Sequence, residues 1–207
     1  LNNIYAFDQA IGEDTVAVLV ESIQGEGGIY EADDSFLQEL SKICENRKVL
    51  LLLDEVQAGI GRTGEFLGFQ KSGIIPSAVA MAKGLGGGFP IGAIWISEQY
   101  ADTFGPGSHG TTFGGSPLAC SAAHAVLDVL EQEDLILATK QKGEILHKKL
   151  SEFISKYPDL VSEVRGRGLM LALAFKNDPA PLVKKLREAG LLVVGAGGHA
   201  HAYVGVH

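Results

Sequence analysis

Apolar residues in this chain fall into two patterns. Short, nearly continuous runs rich in Val, Leu, Ile and Ala occur at residues 16–21, 49–53 and 78–82, with a looser one at 90–97. Such runs, bounded by polar or glycine-rich stretches, predict strands of a mostly parallel sheet buried on both faces. Between the first two, Phe36, Leu37, Leu40 and Ile43 recur at helical spacing, and Asp33 or Asp34 is suited to cap a helix running to about Asn46. Strand, helix and strand together make a βαβ unit.

The pattern changes past residue 115. Pro117 is suited to the first position of a helix over residues 116–131. A second helix is expected over 135–157, with Leu137, Ile145, Leu146, Leu150, Phe153 and Ile154 on its apolar side and Pro158 ending it. Residues 160–164, 168–175, 179–189 and 191–194 then read as strand, strand, helix and strand. The expected organisation is an α/β part over residues 1–132 and a small α+β part over 133–207.

Composition narrows the function. Apolar content of 46% and charged content of 20% indicate a globular chain. With 17 basic and 25 acidic residues the net charge is −8, and no basic stripe is present, which argues against a nucleic-acid partner. No apolar run reaches membrane-spanning length. Cys44 and Cys120 lie far apart outside any metal or redox motif, so two reduced, buried thiols and a cytoplasmic setting are expected. The opening without Met and the glycine- and histidine-rich close suggest part of a longer protein.

Candidate chemistry sits where the strands end. In open parallel sheets ligands bind outside the carboxyl ends of the strands. Glu21 and Glu26 follow the first run, Asp54, Val56 and Gln57 the second, and Lys83 the third; the loop at 109–115 carries Thr112. Any one of these is open to a plain structural reading, since most lysines are solvated and Gly-rich stretches are often only loops. Their recurrence at successive strand ends favours a site. A desolvated Lys83 would be a nucleophilic amine, and the glycines after it allow close backbone approach.

Three other motifs are weaker. Residues 59–64 match GxGxxG but begin beyond the strand tip and precede no long amphipathic helix. The Asp54-Glu55 strand end is reminiscent of an ATPase acidic motif, yet no phosphate loop GxxxxGK[ST] accompanies it. His199, His201 and His207 have no carboxylate or cysteine beside them, so no metal is expected. The surviving pair is Asp54 with Lys83. Pyridoxal phosphate needs a lysine amine for attachment and a carboxylate that keeps its ring nitrogen protonated. Gln57 could hydrogen-bond the ring hydroxyl, and Val56 could pack on the ring face.

Residues 21–28, 53–64, 82–93 and 109–119, with 164–170, carry a resemblance: the chain is similar to the class III, pyridoxal-phosphate-dependent aminotransferases of fold type I, most of all to their acetylornithine branch. The likeness covers about residues 4 to 194. It implies that Lys83 holds the cofactor and carries the proton of the 1,3-shift. It implies that Asp54 and Gln57 serve the ring, that Glu21 and Glu26 line the substrate side, and that Thr112 reaches the cofactor phosphate of a neighbouring subunit in a homodimer. The implied reaction moves an amino group between N-acetylornithine and 2-oxoglutarate, with ornithine, succinylornithine or 4-aminobutyrate transamination or an aminomutase as sister activities. The family's phosphate-binding segment, its ring-stacking aromatic residue and an arginine for the substrate carboxylate have no counterpart here. Ser22 stands where Pro is usual, and residues 195–207 lack the family's Pro, Arg and Leu-Pro-Pro. Little activity is therefore expected from these residues alone, and a non-catalytic remnant binding a partner is the reading from another class.

Overall fold

The computed structural model describes residues 1–196 and 201–205. The first short helix, α1 (Ile4–Ala10), opens on Asn3, whose side chain accepts a hydrogen bond from the Ala6 amide at 3.1 Å. It escaped the sequence reading because seven residues are too few to show a period. Strand β1 (Ala17–Glu21) leads into a small hairpin, β2 (Ile23–Gln24) and β3 (Tyr30–Glu31), within the glycine-rich stretch expected to be a loop. Helix α2 (Asp34–Arg47) follows, with Asp33 in the capping position but making no side-chain cap.

Strands β4 (Leu50–Asp54), β5 (Ala78–Met81) and β6 (Ala93–Ile96) complete a sheet in the order β1-β4-β5-β6. Two of its three pairings are parallel, as expected. The last is not: β6 runs antiparallel to β5, because the chain reverses over the tight Lys83–Gly86 turn and the glycines beyond it. One face, with Val18, Val20, Leu51, Leu53 and Val79, packs against Phe36, Leu37 and Leu40 of α2 to form the main core. The expectation that β1 is covered on both faces does not hold among the described residues. It lies at the sheet edge, and Leu19, on the opposite face, is 64% exposed.

Helix α3 (Pro117–Gln132) has Pro117 at its start and packs on the Lys83–Gly86 turn through Ala123, Ile60 and Leu85. Helix α4 (Leu135–Lys156) carries the chain to strands β7 (Val161–Arg167) and β8 (Met170–Phe175). Its Leu150 is buried, whereas Leu137, Ile145 and Phe153, assigned to the same apolar side, are exposed. Helix α5 (Ala180–Glu188) precedes β9 (Val194–Ala196) and β10 (His201–Gly205). The second sheet, β7-β8-β10-β9, is antiparallel throughout. The strand expected at 191–194 begins only at Val194.

The second sheet meets the β2–β3 hairpin and the segment after β4 in a cluster of Ile23, Ile29, Ala58, Met170 and Ala172. Glycine makes that meeting possible. Gly168, at φ +57°, lies so near the main chain of Thr63 that an added β-carbon would stand 2.5 Å from its carbonyl carbon. Gly61 and Gly64 of the GxGxxG run pack on Leu130, Ile136 and Lys140 of the helices, which gives that run a packing task.

Candidate active site

Register brings the first acids together. Glu21 pairs with Asp54 across β1 and β4, and Asp54 pairs with Ala80 across β4 and β5. All three therefore stand in one row at the carboxyl end of the parallel strands. Alternation along a strand places Asp54 on the face of Leu52, away from the core that takes Leu53. Lys83 follows three residues beyond Ala80, at the start of the Lys83–Gly86 turn.

These groups feel one another. Burial pushes the Glu21 carboxyl above its ordinary value. A hydrogen bond from the Gly25 amide at 3.2 Å pulls it back, Asp54 raises it, Lys83 lowers it, and Glu26 raises it slightly. Glu21, Asp54, Lys83 and Glu26 thus form one electrostatic cluster. Asp54 also accepts a 3.0 Å hydrogen bond from the Val56 amide, which turns the chain at the strand tip and fixes the carboxylate. Half-buried Val56 and Gln57 follow, and the Gln57 side chain lies directly against Gly25 of the β2–β3 turn.

Lys83 differs from expectation in one respect. It is exposed, not buried, because β5 ends at Met81 and the turn carries the side chain outward. Its backbone has φ +45°, a left-handed conformation that a residue with a β-carbon seldom adopts. Strain of this kind collects at functional positions.

Thr112 is not delivered by a strand end. Because β6 is antiparallel, the chain leaves the sheet at the opposite edge, and residues 101–115 are exposed throughout. The described contacts of that loop are internal, such as the Gly114 amide on Thr111 Oγ1 at 3.1 Å. Glu26 is exposed on the β2–β3 turn. Cys44 is buried as expected, while Cys120 is only partly so, and both are free thiols. His199 and His207 lie outside the described residues, as does the side chain of His201.

A further acid entered the sequence analysis only as half of the ATPase-like Asp54-Glu55 strand end. Glu55 is fully buried, at 0% exposure. Its Oε2 accepts from the Gly68 amide at 2.6 Å and its Oε1 from the Phe69 amide at 3.2 Å. Burial pushes its carboxyl up; the Ser22 hydroxyl, these two amides and the charge of Arg167 act against that. Strand alternation was the available signal, since Glu55 shares the buried face of Leu51 and Leu53.

A cleft of about 590 Å³ opens between the Thr63–Glu65 turn, α4 and β7, and its lining includes none of Glu21, Asp54, Gln57, Lys83 or Thr112. The strand-end row is where amine, carboxylates and amide converge. This donor set suits the ring of pyridoxal phosphate: an amine to hold it, a carboxylate to face a protonated ring nitrogen, an amide for the hydroxyl.

The class-III aminotransferase family model matches residues 1–204. The chain belongs to that family. It is 45% identical over 195 residues to "Acetylornithine aminotransferase 1" of Bradyrhizobium diazoefficiens, covering 94% of this chain and 48% of that protein. It is 42% identical over 200 residues to the succinylornithine transaminase of Photorhabdus laumondii, covering 95% of this chain and 50% of that one. Among solved structures, the acetylornithine aminotransferase of Elizabethkingia anophelis superposes with a TM-score of 0.89 at 35% identity, over 98% of this chain and 53% of that chain. The fold is accordingly that of a pyridoxal-phosphate aminotransferase, an α/β part with a mostly parallel sheet followed by a smaller α+β part. The chain spans about half the length of the curated relatives it matches.

Proposed function

We propose that this chain supplies the lysine side of a pyridoxal-phosphate-dependent transamination, with N-acetylornithine as amino donor and 2-oxoglutarate as acceptor. The observation that carries the reading is the row of Glu21, Asp54 and Ala80 with Lys83 just beyond it, in electrostatic contact across three neighbouring strands. The cofactor, when bound, supplies an electron sink for the bond breaking at the amino carbon. Lys83 would hold it and would carry the proton of the shift. Asp54, fixed by the Val56 amide, would serve the ring nitrogen, Gln57 the ring hydroxyl, and Val56 would pack on the ring. Glu21 and Glu26 line the substrate side.

The choice of N-acetylornithine rests on the names of the relatives; ornithine, succinylornithine and 4-aminobutyrate are the sister donors. In this reading residues 1–132 form the cofactor-binding domain and 133–207 the smaller one. Thr112, on its exposed loop, reaches the cofactor phosphate of a second copy in a homodimer, and the protein works in the cytoplasm. The 207 residues by themselves turn over little substrate, since the relatives bring about twice the length to the reaction.

The test is chemical. Pyridoxal phosphate is added, the mixture reduced with borohydride, and the protein digested. The expected result is a pyridoxyl group on Lys83, absent from Lys83→Ala. An unlabelled protein, or equal labelling of the variant, overturns the assignment.

A further inference from the structure

Glu55 stands between two residues that the proposed chemistry uses, Asp54 and Gln57, and is held at every polar atom the backbone and side chain offer. Its amide donates to the Ala80 carbonyl at 2.9 Å, and its carbonyl accepts from the Gly59 amide at 3.0 Å. Its two carboxylate oxygens take the Gly68 and Phe69 amides. A carboxylate satisfies both donors at once; an amide side chain offers one acceptor and sets its NH2 against the other N–H.

The network continues into the second sheet. Arg167, on β7, donates to the Gly68 carbonyl, the same residue whose amide Glu55 holds, and pairs with Glu31 on β3 at 2.6 Å. Its charge is felt at Glu55. The Arg167–Gly68 bond spans 99 positions of sequence, so it fixes tertiary arrangement and not a local turn. Gly68 is open to this approach because it lacks a β-carbon, which would stand 2.5 Å from Ser22 Oγ and 3.1 Å from Glu55 Oε2.

We propose that Glu55 is a positioning residue: it fixes the strand end that carries Asp54 and the turn that carries Gln57, and through Gly68 and Arg167 it ties both to the β7–β8 sheet. The role assigned to Asp54 rests on the functional reading above. Groups whose surroundings lock them in place keep the geometry that chemistry needs. A purely structural Glu55 would hold the Gly68 turn without affecting Asp54.

The Val56 amide separates these cases, because it donates to Asp54 Oδ1 and so reports where that carboxylate sits. Amide hydrogen exchange is measured on the cofactor-free protein and on Glu55→Gln. Exchange at Gly68 and Phe69 rises in either case. Exchange at Val56 rises roughly tenfold or more only if Glu55 positions Asp54. In the cofactor-loaded protein the same variant weakens cofactor affinity about tenfold and moves the pH midpoint of the visible absorption band. Arg167→Gln, which leaves the Glu55 carboxylate and its two amide donors in place, serves if Glu55→Gln does not fold; it moves Val56 exchange and the midpoint in the same directions. Unchanged Val56 exchange with an unchanged midpoint, in the folded variant used, overturns the inference. A parent protein that takes no pyridoxyl group on Lys83 sinks the functional reading and this one together; a labelled parent with unmoved variants sinks this one alone.

Discussion

Gly25 and Gln57 are packed so closely that a β-carbon on Gly25 would lie 1.4 Å from the Gln57 side-chain oxygen. The contact joins the turn after Glu21 to the turn after Asp54. Gly25 does not have a left-handed backbone, so alanine is conformationally permitted there and the whole penalty falls on Gln57. Because the displaced atom is the end of a flexible side chain, Gly25→Ala should cost under about 1 kcal/mol of stability. Cofactor affinity should fall roughly tenfold, the worth of one hydrogen bond. Fluorescence titration with pyridoxal phosphate checks it; affinity equal to the parent's would remove Gln57 from the ring contacts.

Glu21 makes stability depend on pH. Burial, first among its influences, raises its carboxyl above the ordinary 4.5. The folded chain therefore keeps this proton to a higher pH than the unfolded chain does. Stability is withdrawn as pH climbs from the unfolded value to the folded one, and the loss persists above it. Glu21→Gln keeps an oxygen for the Gly25 amide and removes the charge. The variant should be more stable than the parent at pH 7, the difference vanishing below about pH 4. Urea unfolding at both pH values measures this, and a less stable variant at neutral pH contradicts it.

In α4, Gly143 sets helix propensity against packing. Alanine in a helix interior is favoured over glycine by about 1 kcal/mol. Here its β-carbon would stand 2.4 Å from the Gly168 carbonyl oxygen and 2.6 Å from its Cα. These are backbone atoms, themselves wedged against Thr63, and they cannot rotate aside. Overpacking of this kind costs roughly 1–3 kcal/mol or more, so clash should win over propensity. Gly143→Ala is expected to lower the denaturation midpoint at unchanged slope; a raised midpoint would show that α4 can slide off the β7–β8 turn.

Local pattern made much of this legible. The β1–α2–β4 unit followed from apolar runs and helical spacing, and Asp54 and Lys83 were found because each directly follows such a run. What stayed hidden depends on contacts between distant residues. No periodicity says that β6 turns back antiparallel; the tight turn beyond Lys83 decides it. Thr112 was grouped with the strand ends for want of that fact. The β2–β3 hairpin is two residues a side, too short for alternation to register. Glu55 was readable as buried from its place in the alternation, but its partners Gly68 and Arg167 were not, since only the folded chain brings them together.

The left-handed backbone of Lys83 has a consequence for anyone redesigning this chain. Glycine at that position would relieve a strain of about 1–2 kcal/mol. A search for stabilising substitutions guided by backbone geometry alone would therefore select against the amine on which the proposed chemistry turns. Selection for durability and selection for turnover pull in opposite directions at this one residue.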